Sequence, residues 1–179
     1  LQHWAEAPYR AWKIELVGHA LRQHGVDLPA RIDSVFVPAA TRRRAEFAAV
    51  KQGGEVQLGF HAARSDAIVD QQQCPILASA LERFVPPLRD TLRSVLHEGK
   101  PVDVLVTETA TGIDLLITAD DAASTKQRGA LARFADDHRI ARIGWQGKRG
   151  TPEPIVQLHP PQVRFGNVTV DLPMPSFLQ

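Results

Sequence analysis

Cysteine is almost absent from this sequence. A single one, Cys74, lies in Asp70-Gln71-Gln72-Gln73-Cys74-Pro75. One thiol excludes an internal disulfide, and with it the small disulfide-stapled scaffolds of secreted proteins. No apolar run approaches the roughly 18 residues of a membrane-spanning helix. No signal or transit peptide is visible in the sequence given. The lone cysteine makes the sequence read as cytoplasmic. Neither sign of charge dominates: 21 Lys and Arg against 20 Asp and Glu leave a net +1. Composition therefore neither demands nor excludes a polyanionic partner, and local patches must decide. Aromatic residues make up only 6%. No glycine-rich phosphate loop is present, since Gly53-Gly54 reads as a turn and Gly147-Lys148-Arg149-Gly150 as a basic loop. The seven histidines (His3, His19, His24, His61, His97, His138 and His159) are scattered, none at zinc spacing with a second ligand. No paired acid and base or nucleophile motif stands out, which argues against a self-contained small-molecule enzyme.

What remains is ordinary for a globular chain. Its 179 residues, 44% of them hydrophobic and 23% charged, suffice for one domain with a core. Trp12, Leu16, Val17, Ala20 and Leu21 recur at helical spacing, which predicts a helix over Tyr9 to Gln23 stopped by Gly25. Extended runs are expected at Ile32 to Val37, Ala45 to Lys51, Glu55 to His61 and Ala67 to Asp70, the middle two joined as a hairpin by Gly53-Gly54. Pro75 suits a first helical turn. From Leu77 to Leu96 apolar residues again keep helical spacing, interrupted by Pro86-Pro87, so a kink or two helices are expected. Val102 to Glu108 and Ile113 to Ala119 should form a second hairpin. Ser124-Thr125-Lys126-Gln127 fits a capping box opening a helix to His138, with Ala130, Leu131 and Phe134 on its apolar face. Strands should follow at Ile140 to Trp145, Ile155 to His159 and Asn167 to Asp171. This order predicts an α+β fold with a mainly antiparallel sheet and about three to four helices.

Thr41-Arg42-Arg43-Arg44 is the densest basic cluster. It reads either as a solvated loop or as a phosphate contact, because guanidinium forks bind phosphate oxygens bidentately. On a strand, Arg42 and Arg44 would share one face and Arg43 the other. Lys148-Arg149 is a weaker candidate of the same kind. Cys74 on its own reads as a buried core thiol. A nucleophilic thiolate needs a basic neighbour, and Gln71 to Gln73 offer none.

Taken in order, several segments resemble the bacterial RNA (uracil-5-)methyltransferase family, especially its ribosomal-RNA members. Leu1-Gln2-His3 followed by Tyr9-Arg10-Ala11-Trp12-Lys13 is similar to the stretch after the family's CGGC motif. Arg42-Arg43-Arg44-Ala45 resembles its Arg-rich strand. Gly59-Phe60-His61, Ser65, Ile68-Val69-Asp70 and Cys74-Pro75-Ile76-Leu77 resemble the run ending in its fourth cluster cysteine. Phe165-Gly166 through Leu172-Pro173 to Phe177-Leu178-Gln179 resembles the segment entering the methyltransferase domain.

The resemblance implies a four-iron four-sulfur cluster with Cys74 as its distant thiolate and three further cysteines before Leu1. It implies that Arg42, Arg43 and Arg44 position RNA. Phe177 and Gln179 match an F-x-Q motif, in which the Phe packs at the extruded base and the Gln contacts the base edge and lies near the cofactor. The implied reaction moves a methyl group from S-adenosylmethionine to C5 of a uridine, after a cysteine thiolate adds to C6 and makes C5 nucleophilic. A base then removes the C5 proton. In the family those catalytic groups lie beyond the segment matched here. The expectation is thus a central RNA-contacting domain at residues 1–172, with residues 173–179 entering a methyltransferase domain. It contains no catalytic residue and is expected to be inactive alone, to hold no cofactor by itself, to act as a monomer on ribosomal rather than transfer RNA, and to need no membrane. The rival reading is a non-enzymatic α+β module that binds RNA or a protein.

Overall fold

The computed structural model describes residues 4–29, 31–148 and 150–175. They fall into two compact units, one ending at Pro38 and the other beginning at Ala39.

The first unit is built on α1 (Glu6–Gln23). Gly25 stops it as expected. With φ +68°, Gly25 donates its amide to Arg22 and Val26 donates to Leu21, at 3.1 and 3.0 Å. This is the paired closure that a left-handed glycine permits. The apolar face is only partly buried, however: Leu16 and Val17 are 44% and 50% exposed. Trp12 packs instead on Trp4 and Tyr9 (ring centroids 5.5 and 6.1 Å), and Lys13 lies over the Tyr9 and Trp12 rings. The strand expected at Ile32 to Val37 is irregular chain, with Val35 92% exposed. Apolar β-branched residues are not enough for a strand. The backbone needs a neighbouring strand to take its hydrogen bonds, and among the described residues of this unit there is only a helix.

The second unit contains a seven-stranded sheet. Its strands are β1 (Arg44–Gln52), β2 (Glu55–His61), β3 (Ile68–Asp70), β4 (Val102–Thr109), β5 (Gly112–Ala119), β6 (Ile140–Gly147) and β7 (Glu153–Gln157), in the order β3-β2-β1-β4-β5-β6-β7. All neighbours are antiparallel except β5 and β6. A parallel pair needs a crossover, which α3 (Thr125–Asp137) supplies. Its capping box forms as the sequence predicts, with Ser124 and Gln127 exchanging hydrogen bonds. Gln127 also donates to the Val95 carbonyl at 2.8 Å, tying α3 to the end of α2 (Ser79–Val95).

Of the kink or two helices expected at Pro86 and Pro87, the split does not occur: α2 is one helix that runs through both prolines. Each interior proline costs about 3 kcal/mol. Against that, Leu81, Phe84, Val85, Leu88, Leu92 and Val95 are all buried, at about 1.5–3 kcal/mol each. Burial wins. Pro75 lies in a turn rather than in the helix, because Leu77 is drawn into a parallel bridge with Arg42. The core joins these α2 side chains and Leu131 and Phe134 of α3 to one sheet face, through Phe47, Leu58, Val104, Leu115, Ile117 and Ile143. A small hairpin of β8 (Gln162–Phe165) and β9 (Val168–Asp171) follows. The sequence patterning predicted only its second strand.

Candidate nucleic-acid interface

The arginine cluster and the Cys74 turn, some thirty residues apart in sequence, are held side by side. The amides of Ala40 and Arg42 donate to the carbonyls of Pro75 and Ile76, and the Ala78 amide donates to the Arg42 carbonyl, each at 2.9 Å. Only Arg44 belongs to β1, where it faces Thr107 of β4. The simple alternation expected for the three arginines therefore does not apply. Arg42 is exposed on the bridge to Leu77. Arg43 turns along β4, its Nε 3.7 Å from a Glu108 carboxylate oxygen and its Nη2 donating to the Glu108 carbonyl at 3.3 Å.

Cys74 is buried and free. Its amide donates to both carboxylate oxygens of Glu82, at 3.1 and 3.3 Å. The side chain that its backbone holds is thus a carboxylate, whereas activated thiols sit beside bases or cations. No group of three His, Cys, Asp or Glu side chains placed to hold a metal ion occurs among the described residues. Four thiolates are the usual ligands of a four-iron cluster, so this chain's own residues do not fit that group by themselves.

Beside the arginine cluster, α2, the β4–β5 turn and the end of α3 enclose a cleft of about 280 Å³. Arg83, Glu108, Thr109, His138 and Arg139 line it, over Phe84 and Ile113. No sequence motif announced Arg83, His138 or Arg139, because they come from separate elements.

A third feature is a buried ion pair. Arg142 on β6 meets Asp114 on β5 bidentately, both bonds 2.8 Å, with side chains only 7% and 13% exposed. Its remaining donors reach the carbonyls of Leu172 and Pro173 at 3.1 and 3.2 Å. The pair thereby pins the segment leading toward Phe177 and Gln179. Those two residues, like Arg149, lie outside the described residues. Lys148 pairs with Asp120 at 3.3 Å. Among the described residues no helix is long and apolar enough to cross a membrane.

No protein-family model matches the chain. An uncharacterized RNA methyltransferase of Brucella suis is 35% identical over 179 residues, which is all of this chain and 42% of the relative. One from Caulobacter vibrioides is 35% identical over 188 residues, again all of this chain and 43% of the relative. The 23S rRNA (uracil(1939)-C(5))-methyltransferase of Halomonas elongata is 30% identical over 87% of this chain and 34% of its own length. The crystal structure of Pyrococcus abyssi tRNA (uracil-54, C5)-methyltransferase with S-adenosyl-L-homocysteine shares the fold. Its TM-score is 0.54 at 13% identity, over 89% of this chain and 41% of that one. The chain thus spans about two fifths of the length of the curated relatives it matches in full.

Proposed function

The chain is homologous over its whole length to part of the RNA methyltransferases, and from that premise we propose that it is the RNA-contacting α+β domain of an S-adenosylmethionine-dependent uridine-C5 methyltransferase acting on ribosomal RNA. Residues 1–172 do the contacting, and residues 173–179 lead into the catalytic part. The observation that carries this reading is the backbone pairing of Arg42 with the turn after Cys74. It puts the phosphate-binding candidates Arg42, Arg43 and Arg44 beside the turn that holds the one cysteine.

On this reading the arginines hold the RNA backbone, while Phe177 and Gln179 meet the target base at the rim of the catalytic part. Cys74 is proposed as one ligand of an iron–sulfur cluster whose other thiolates come from outside this sequence, and no step is assigned to that cluster. S-adenosylmethionine supplies the methyl group when bound. Gln179 is the one residue of this chain proposed near it, and the chain's own contribution is to bind and orient RNA.

The test is equilibrium binding of ribosomal RNA fragments across a salt series. Reversing Arg42→Glu and Arg44→Glu should weaken binding and reduce the salt slope by roughly 0.7 for each phosphate no longer neutralised on single strands. Unchanged affinity and slope would remove the assignment.

A further inference from the structure

Two arginines of the second unit line the cleft. Arg83 is on α2, and Arg139 follows α3. Among the described residues neither guanidinium makes a hydrogen bond or ion pair. Most other arginines near the sheet are engaged, such as Arg89 with Asp70, Arg93 with Glu55 and Arg142 with Asp114.

The cleft is held in shape. The Ile113 amide donates to the Arg139 carbonyl at 2.9 Å. A Cβ at residue 112 would stand 2.7 Å from that same oxygen, and the φ there is +137°. Gly112 is therefore what lets the backbone of Arg139 come so close to the β4–β5 turn. The Thr109 hydroxyl donates to the Gly112 carbonyl at 2.6 Å and fixes the turn from within. The His138 ring lies on Phe134, with centroids 4.8 Å apart. Among the described lining residues the one carboxylate is Glu108, and it faces the Arg43 guanidinium, which offsets its repulsion of an anion.

We infer that this cleft is a nucleotide subsite: Arg83 and Arg139 bind one phosphate of the RNA, and the nucleoside rests against the apolar wall of Phe84, Pro87 and Ile113. Charge, shape and size agree. Two guanidinium groups with no carboxylate of their own suit a phosphate. A cleft of about 280 Å³ is near the lower end of small-molecule sites, the size of a nucleotide rather than of a protein loop. This deepens the RNA-binding reading above and rests on it, yet it concerns residues that the Arg42–Arg44 cluster does not include.

The experiment compares the unaltered chain with the Arg83→Gln/Arg139→Gln variant. Among the described residues both side chains lack protein partners, so the variant should melt at the unaltered temperature, and that is measured first. Binding of a short uridine-rich RNA should weaken about tenfold or more, as expected when charged hydrogen bonds are removed, and its salt slope should fall. In a parallel titration, uridine monophosphate should bind better than uridine to the unaltered chain and no better to the variant. If Arg42→Glu/Arg44→Glu weakens RNA binding and Arg83→Gln/Arg139→Gln does not, the subsite is wrong while the RNA-binding function stands. If the unaltered chain binds no RNA, that function fails, and the uridine monophosphate titration alone decides the cleft. Equal binding of uridine and its monophosphate would then overturn the subsite as well.

Discussion

Asp70, the last residue of β3, shows how one carboxylate is kept charged in a half-covered place. It accepts the Leu58 amide at 2.9 Å and hydrogen bonds from Arg89 and Gln72. Arg89 also donates to the carbonyls of Val56 and Gln71, so one guanidinium closes the end of the β2–β3 pair. Burial pushes the Asp70 carboxyl up. The Leu58 amide, the Arg89 hydrogen bond and the Arg89 charge outweigh it, and the net shift is below the usual 3.8. A group whose folded value is depressed contributes stability that is complete above its unfolded value and is lost as pH falls through the folded one. The contribution should therefore be whole above about pH 4 and fade below it. Acid unfolding followed by circular dichroism should show a shallower loss below that pH for Asp70→Asn than for the unaltered chain. Coincident acid limbs would show that Asp70 is not linked to folding. Nothing in the sequence marked this pair, because Asp70 and Arg89 meet only after β3 and α2 have packed.

At the scale of elements, the Arg142–Asp114 pair joins β5 and β6 to the segment after β9. Removing one partner of a buried ion pair typically costs about 3–5 kcal/mol, since it strands the other charge. Arg142→Met should lower stability by that order in urea unfolding, and Asp114→Leu/Arg142→Met should recover much of the loss. A single variant as stable as the unaltered chain would mean that the pair holds nothing. The elements themselves were largely legible. Gly53-Gly54 gave the first hairpin, and both glycines adopt positive φ there. Ser124 and Gln127 gave the start of α3. Legibility failed where the outcome depended on partners that were not adjacent in sequence. Ile32 to Val37 has strand composition, but the described residues of its own unit hold no strand for it to join. Pro86-Pro87 carries a local helix-breaking signal that a buried face overrides. Gln162–Phe165 is too short to announce itself, and it becomes β8 by pairing with β9 and accepting the Ala110 amide at 2.7 Å.

For the whole molecule, the proposed division of labour makes a plain prediction. Incubated with S-adenosylmethionine and ribosomal RNA, this chain alone should form no 5-methyluridine by nucleoside mass spectrometry. Product above background would end the reading of it as an RNA-presenting part. The site was legible only in pieces. Arg42–Arg44 and Cys74 could be picked out one by one, but their adjacency is a product of the bridge between residues 42 and 77, and the cleft of Arg83 and Arg139 exists only once three elements meet. The rims of the large sheet carry one more consequence. On one side β3 has just three residues, Ile68–Asp70, and on the other β7 contains Pro154, which has no amide hydrogen to offer. Open strand edges are templates for unwanted growth by strand addition, and short or proline-bearing ones are poor templates. Although it carries seven strands, the sheet is thus blunted at both borders against amyloid-like self-association.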